Sequence, residues 1–435
     1  MRTLIAETKN KVGESVEIFG WVQAIRDQGN IKFLILRDIS GIIQAVVTKN
    51  NAEAMKVVES LSLESVVKII GLAKEEKQAP GGFEIGVETL EVLSMASPEL
   101  PIPVVEKSGE TELPKRLDWR WLDLRKPENK LIFQIWTEME RAFVDYCTDN
   151  NYIEIHSPKL MGAPSEGSAE LFEVKYFERK AYLAQSPQFY KQMGMASGFE
   201  RVYEIGPVFR ANPSFTSRHD TEFTGYDIEI SFVESHYDVM VEEERFIVAM
   251  LKAAKDKYGE LASKTFGKEI IVPKTPFPKV TMAEAKQILK KLNVPSESEG
   301  DLNPEEERKL GEYIKEKEGH EFVFVTDYPK EIRPFYHMRH ADNPDVTKSF
   351  DLVYNGLEVT TGAQREHRYD ILVKQAKEKG LSLEPIQFYL NFFKYGCPPH
   401  GGLGFGPTRF LMQTLGLSNV REVTYLYRGV KRLEP

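Results

Sequence analysis

The stretch from Arg201 to Phe232 most narrows the folds open to this chain. RVYEIGPVFRA and TGYDIEISF both read as apolar strands, and the polar segment between them has no helical pattern. Without a crossover helix, such a pair reads as antiparallel. The hairpin also carries chemistry. Arg210 ends its first strand, Arg218 and His219 form a second cationic pair in the loop, and Phe223, Asp227 and Glu229 lie on the returning strand. An arginine closing a buried strand is costly unless paired, so its partner is a ligand phosphate or carboxylate, or else Glu229 or Glu204. In the last part of the chain, GGLGFG reads as a return to the sheet, and within GGLGFGPTRF a Gly-rich turn delivers Arg409 to the start of the apolar helix FLMQTLGL. Two arginines presented through strand and glycine suit a bent polyphosphate, because guanidinium forks match phosphate oxygens. The pattern is not a Walker loop, since no GK[ST] is present, and no GxGxxG follows a parallel strand.

A chain of 435 residues is too long for one ordinary core, so at least two domains are expected. Residues 1–100 read as short strands (VEIFGWVQAIRD, IKFLILRD, GIIQAVV, VVKIIGLAKEE and FEIGVETLEVLSMA) with the helix NAEAMKVVESL between the third and fourth. Five strands interrupted there by a helix is the pattern of an OB-fold barrel. Residues 101–125, rich in proline and charge, read as a hinge, and 126–435 as a second, α+β domain built on an antiparallel sheet. That domain opens on an amphipathic helix, roughly Glu128 to Asn150, with Ile132, Ile135, Trp136, Met139, Phe143 and Tyr146 on its apolar face. Residues about 281–320 read as a helical insertion whose charges form a solvated face.

The net charge of −9 argues against a surface coated in basic groups but leaves room for a local basic patch. No stretch is apolar for the length of a membrane helix, and MRTLIAETKNK lacks a signal peptide's apolar core. Cys147 and Cys397 are the only cysteines, without CxxC spacing, which makes structural zinc unexpected and fits a reducing cytoplasm.

FDLVYNGLEVTTGAQREHR brings Asp351, Glu358, Thr361 and Arg365 along adjoining strands. Oxygen ligands of this kind suit Mg²⁺, although Glu358 is otherwise an ordinary strand carboxylate. QSPQFYKQ places Gln188 and Lys191 one helical turn apart, on one face.

Over nearly its whole length the chain resembles the class II aminoacyl-tRNA synthetases, and within them the aspartyl branch of archaeal type. The resemblance implies ATP as substrate, with Arg210 bridging its α-phosphate and the substrate carboxylate. It implies Arg218 and His219 at the outer phosphates and Phe223 under adenine, with Asp220 among the ATP contacts. Arg409 covers the open face of adenine, delivered by Gly406, Pro407 and Thr408. Asn212 departs from the family's usual glutamate and offers adenine an uncharged acceptor. Asp351, Glu358 and Thr361 match the magnesium strand. Lys191, Gln188, Thr361 and Arg365 would bind aspartate, with Glu166 on its ammonium group. In the barrel, Gln23, Arg26, Phe33 and Gln44 would meet the anticodon. The family's discriminating members carry a bulky aromatic at Gln23 and a lysine where this chain has Pro80 and Gly81, so both tRNA-Asp and tRNA-Asn are expected partners. The long helix and following strand match a motif that forms the interface of a homodimer, to which Trp136 and Phe143 would add apolar area. The rivals are an asparaginyl-tRNA synthetase, a tRNA-independent amide-forming relative and a non-catalytic relative. Lys191, the intact barrel, and the joint presence of Arg210, Glu358 and Arg409 weigh against them in turn.

Overall fold

In a computed structural model the chain is described at residues 2–105, 111–166, 170–213 and 216–435. It divides into two compact units, Met1–Lys126 and Pro127–Pro435.

The first unit is a closed barrel of β1 (Ser15–Asp27), β2 (Ile31–Arg37), β3 (Ile42–Thr48), β4 (Val66–Glu75) and β5 (Phe83–Ser94), in the order β1-β2-β3-β5-β4. Alternation drives it: Val16, Ile18, Val22, Leu34, Leu36, Ala45 and Val47 point inward and are almost fully buried. Helix α1 (Ala52–Glu59) sits between β3 and β4, started by the Asn51 side chain, which accepts from the Ala54 amide at 3.1 Å. This is the OB-fold order. The segment read as a hinge belongs to this unit. Its residues 106–110 lie outside the described ones, and α2 (Leu113–Asp118) and α3 (Arg120–Asp123) lie in its second half. Buried Asp123 ties these helices together, accepting from Arg116 at 2.9 Å and Arg120 at 2.7 Å.

The second unit begins with α4 (Pro127–Asp149) and is built on an eight-stranded sheet. Its order is β12-β13-β14-β15-β16-β11-β10-β6, from β6 (Ile153–Glu154), β10 (Arg201–Phe209), β11 (Glu222–Ser231), β12 (Lys279–Thr281), β13 (Phe322–Thr326), β14 (Ser349–Tyr354), β15 (Leu357–Arg365) and β16 (His400–Phe405). Neighbours run antiparallel except at the two edges. A small sheet of β7 (Leu160–Met161), β8 (Glu173–Tyr176) and β9 (Arg179–Leu183) stands apart. Helices α4 and α6 (His236–Phe266) supply much of the main core on one side of the large sheet. Phe143 on α4 exposes nothing: it packs on Tyr203, Tyr226 and Phe246 at centroid distances of 5.0–5.9 Å. It therefore offers no area to an interface, contrary to the expectation from the sequence. Trp136 is half-buried against the same core.

A smaller core holds α5 (Gln188–Ala196), α9 (Tyr369–Glu378) and α10 (Gln387–Phe392), and α11 (Pro407–Leu415) and α12 (Val420–Val423) close the chain. The segment read as an insertion holds α7 (Met282–Lys291) and α8 (Pro304–Glu318). Their apolar faces close a separate core with Val323, Val325 and Val353. Their charges are not all solvated: Glu306 and Glu307 are buried.

Candidate active site

A cavity of about 420 Å³ opens above β10, β11, β15 and β16. Every site residue expected in the second unit lines it except Asp351 and Pro407. Pro407 is buried at the first turn of α11, where its fixed φ and missing N–H suit the helix start. Asp351 lies at 6 % exposure and its carboxylate meets Arg333 at 2.7 Å. Arg333 thus pairs with Oδ2, while the buried Oδ1 meets no hydrogen-bond donor among the described residues.

Two local features of the strands set the geometry. Glu358 and Thr361 are three apart, which on a regular strand would put them on opposite faces. A bulge corrects this, because β15 fits one extra residue between the pairs Val353↔Glu358 and Leu352↔Thr360. Both side chains then share a face, and the Thr361 hydroxyl donates to Glu358 Oε1 at 3.2 Å. The second feature is the glycine run. Gly401, Gly402 and Gly404 lie on strand β16, in the segment expected to return to the sheet, pairing β11 on one side and β15 on the other. Glycine is needed there for clearance: a Cβ at Gly402 would come within 2.1 Å of Glu229 Oε2 and 2.2 Å of the Ile228 carbonyl. Only Gly406, the N-cap of α11, lies at a turn.

Among the described residues, Arg210 makes no ion pair, so neither of its suggested structural partners holds it. Glu229 is taken by Arg365 at 3.0 Å and lies 3.5 Å from Lys191, while Glu204 is taken by Lys159. The exposed Arg210 guanidinium lies 5.8 Å from the Phe223 ring centre, at the cavity wall.

On one side of Arg210's strand pair is a buried charge cluster. Lys191 donates to Asp227 Oδ1 and to the Leu403 carbonyl, both at 2.8 Å. Arg365 donates to Glu229, to the Gly402 carbonyl at 2.8 Å, and approaches His337 Nε2 at 3.0 Å. Burial resists the ionisation of Glu229, but Arg365 and Lys191 hold its carboxyl below the usual range. Burial raises Asp227 despite Lys191, and it depresses His337, with Arg365 adding to the effect. Gln188 passes its amide to Gln192 at 2.9 Å. Glu166 accepts from the hydroxyls of Ser186 and Tyr336, which fix its carboxylate toward the cavity.

The other cluster gathers Arg218, His219, Asp220, Glu358 and Arg409. Arg409 donates to the Glu358 carbonyl at 3.1 Å and the Arg218 carbonyl at 3.3 Å. Burial and the neighbouring Arg409 and Arg218 push His219 down to about 4, so it is neutral at physiological pH. The second cationic pair read from the sequence is thus a single cation, Arg218. Burial raises Asp220 to about 7, with the Thr424 hydroxyl donating to it at 3.2 Å. Asn212 is half-buried on the cavity wall.

Among the lining residues that the sequence did not single out as functional are Arg333, Tyr336 and His337. The run RPFYHMRH concentrates Arg, Tyr and His in a loop, which is the signal that could have marked them.

The donors present fit Mg²⁺. Glu358 offers a half-exposed carboxylate with the Thr361 hydroxyl beside it, both hard oxygens suited to an ion that keeps most of its waters. Among the described residues no three His, Cys, Asp or Glu side chains gather into a metal cage.

In the barrel, the outward face of β1–β3 carries Arg26, Phe33 and Gln44. Phe33 pairs across to Arg26 and Val46, opposite in facing to the buried Leu34 and Leu36. It is half-buried and not part of the barrel core. The Gln44 amide donates to Glu84 at 3.1 Å. Gln23 occupies a bulge of β1, and among the described residues its buried Oε1 meets no donor. Pro80 and Gly81 form a short turn before β5, with Gly81 at φ 77° and open space around it.

Residues 112–428 match the family model of tRNA synthetases class II (D, K and N), and residues 16–93 match an OB-fold nucleic acid binding domain. The chain is 45% identical to an aspartate–tRNA(Asp/Asn) ligase of Aeropyrum pernix, covering 99% of this chain and 98% of that one. It is 43% identical to an aspartate–tRNA(Asp) ligase of Pyrococcus abyssi, covering 98% of each. Among solved structures, an asparaginyl-tRNA synthetase of Pyrococcus horikoshii complexed with asparaginyl-adenylate superposes with a TM-score of 0.93, at 31% identity and 100% of both chains. This chain belongs to the class II tRNA synthetases of the D, K and N group, with an OB-fold anticodon domain at its N-terminus.

Proposed function

We propose that this enzyme is an aspartate–tRNA ligase that activates L-aspartate with ATP and loads it onto tRNA(Asp) and tRNA(Asn). The observation that carries the reading is the single cavity in which Arg210, free of any protein carboxylate among the described residues, stands beside both charge clusters. A guanidinium left unpaired on a cavity wall, with Phe223 next to it, is placed for a ligand phosphate and carboxylate together.

In the first step the aspartate α-carboxylate attacks the α-phosphorus of ATP, and pyrophosphate leaves. In the second, a ribose hydroxyl at the tRNA 3′ end attacks the activated carbonyl, and AMP leaves. Arg210 neutralises charge between carboxylate and α-phosphate. Arg218 meets the outer phosphates, and Arg409 lies over the adenine face opposite Phe223. Glu358 and Thr361 would hold Mg²⁺, which supplies charge neutralisation at the phosphates. Glu166 takes the ammonium group, while Lys191 and Arg365 face the side-chain carboxylate, with Gln188 and Thr361 beside them. Rate acceleration comes from positioning and preorganised charge, without a side-chain nucleophile. Asp220, Asn212, Gly406 and Thr408 complete the nucleotide wall.

In the barrel, Phe33 stacks an anticodon base while Arg26, Gln23 and Gln44 approach its edge and backbone. Pro80 and Gly81 leave the last anticodon base without a lysine. The enzyme acts as a homodimer in the cytoplasm, where the buried, free thiols of Cys147 and Cys397 remain reduced. Among the described residues, no helix is long and apolar enough to cross a membrane.

One observation favours asparagine as the amino acid instead: Lys191 and Arg365 already have Asp227 and Glu229 as partners. Pyrophosphate exchange separates the two. Exchange that depends on aspartate and ignores asparagine is expected, and the reverse dependence would overturn the assignment.

A further inference from the structure

Helix α8, in the segment that reads from the sequence as a solvated insertion, brings a buried carboxylate to the nucleotide side of the cavity. Glu307 Oε2 accepts from Arg218 Nη1 at 2.9 Å, with the Glu307 side chain 9 % exposed and the Arg218 side chain 20 %. Arg218 lines the cavity and Glu307 does not, so the carboxylate grips the guanidinium from behind. The same oxygen lies 3.4 Å from the Glu358 amide. We propose that Glu307 is a positioning residue for ATP: it holds Arg218 in the orientation that meets the outer phosphates.

Three anchors fix Glu307 in place. The Asn303 side chain caps α8, accepting from the Glu305 and Glu306 amides at 3.0 Å. Glu306 turns the other way and pairs with Lys286 of α7 at 2.6 Å. Further along, α8 lies directly on the β14–β15 turn. A Cβ on Gly311 would come 2.6 Å from the Gly356 nitrogen, and one on Gly356 would come 2.7 Å from Arg308 Cα. That turn leads straight into Glu358. The helix is therefore locked to the strand bearing Glu358, and its first turn is locked to Arg218. A long, flexible arginine in a loop gains most from such a buttress, because orienting it beforehand removes an entropy cost from binding. With one nitrogen held from behind, the rest of the fork stays turned to the cavity.

The inference rests on reading Arg218 as a phosphate contact, so the test includes Arg218→Ala. Pyrophosphate exchange is measured as KM for ATP and KM for aspartate in the full-length protein. Glu307→Ala is expected to raise KM for ATP roughly tenfold, the scale of one charge-assisted hydrogen bond, and to leave KM for aspartate unchanged. Glu307→Gln, whose amide oxygen still accepts, should recover part of the loss. Combining Glu307→Ala with Arg218→Ala should cost no more than Arg218→Ala alone, since both changes remove one interaction. Full additivity in the double variant would overturn the proposal, as would equal rises in both KM values. An unchanged KM for ATP in Glu307→Ala and Glu307→Gln, with Arg218→Ala still impaired, would overturn it and leave the nucleotide site standing. An unchanged KM for ATP in Arg218→Ala would remove the assignment of Arg218, and this proposal with it.

Discussion

Lys191 is buried among partners rather than waiting bare for a substrate, which sharpens what its loss should do. Truncating one member of a buried charge group leaves the others uncompensated and typically costs about 3–5 kcal/mol. Lys191→Met should therefore weaken aspartate activation at least about a hundredfold and leave KM for ATP within about twofold, the order seen when a buried charge partner is removed. Equal losses for both substrates would instead mark Lys191 as holding only Asp227 and Glu229. A second residue reports through pH. Burial pushes Glu243 on α6 up to about 8, opposed by the Thr360 hydroxyl and reinforced by Glu244 and Asp351. An unfolded glutamate ionises near 4.5, so between these values the folded protein holds the extra proton. The stability this gives is complete below the lower value and drains away as pH rises, by about 1.4 kcal/mol per pH unit. Thermal melts should fall across that range in the native protein and much less in Glu243→Gln, and parallel melting curves would refute the assignment. At this scale the sequence disclosed identities better than states. Arg210, Phe223 and Arg409 could be picked out because motif and residue type coincide. That His219 is neutral, that Asp351 pairs with Arg333 and that Phe143 is consumed by the core depend on neighbours far away in sequence.

Elements were legible where periodicity is strong and hidden where one residue breaks it. The five barrel strands, α1 and α4 follow from alternation and helical spacing, and α4 differs from its expected bounds by one residue at each end. The bulge in β15 has no sequence mark, yet it decides that Glu358 and Thr361 share a face. The glycines of β16 lie on the strand expected of them, but their cause is not marked in the sequence. They answer the crowding of Glu229 beneath the sheet, so Gly402 is where the strand tolerates least. Gly402→Ala would drive a Cβ into both Glu229 and the Ile228 backbone, and neither can yield without breaking the β11–β16 ladder or the Arg365 pair. We expect it to lower stability by more than about 3 kcal/mol, beyond an ordinary overpacking cost, and to abolish exchange activity. Chemical denaturation with an unchanged midpoint would show that the strand has room that the geometry denies.

For the whole molecule, the assembly and its choice of tRNA are the open consequences. Exposed Ile153 on β6 and Leu160 on β7, at 44 % and 46 %, leave apolar area beyond α4 for a two-fold contact now that Phe143 is excluded. Sedimentation at micromolar concentration should give a dimer, and a fully active monomer would refute it. The tRNA question turns on one base, because the anticodons of tRNA(Asp) and tRNA(Asn) end in C and U. Telling these apart takes a donor or acceptor at one pyrimidine edge, and losing such a contact removes about 1–3 kcal/mol of selectivity. The barrel offers little there. Gln44 is committed to Glu84, and the carboxamide of Gln23 can turn either way to meet C or U. Gly81, at positive φ, would accept a lysine only under strain, but Pro80 lies in ordinary turn geometry beside it. The native protein should therefore charge both transcripts with comparable efficiency, and Pro80→Lys should shift the balance toward tRNA(Asp) by about tenfold, the lower part of what one base contact supplies. A native preference for tRNA(Asp) of about a hundredfold would exceed what these residues can produce, and some other contact in the barrel would then be reading the base.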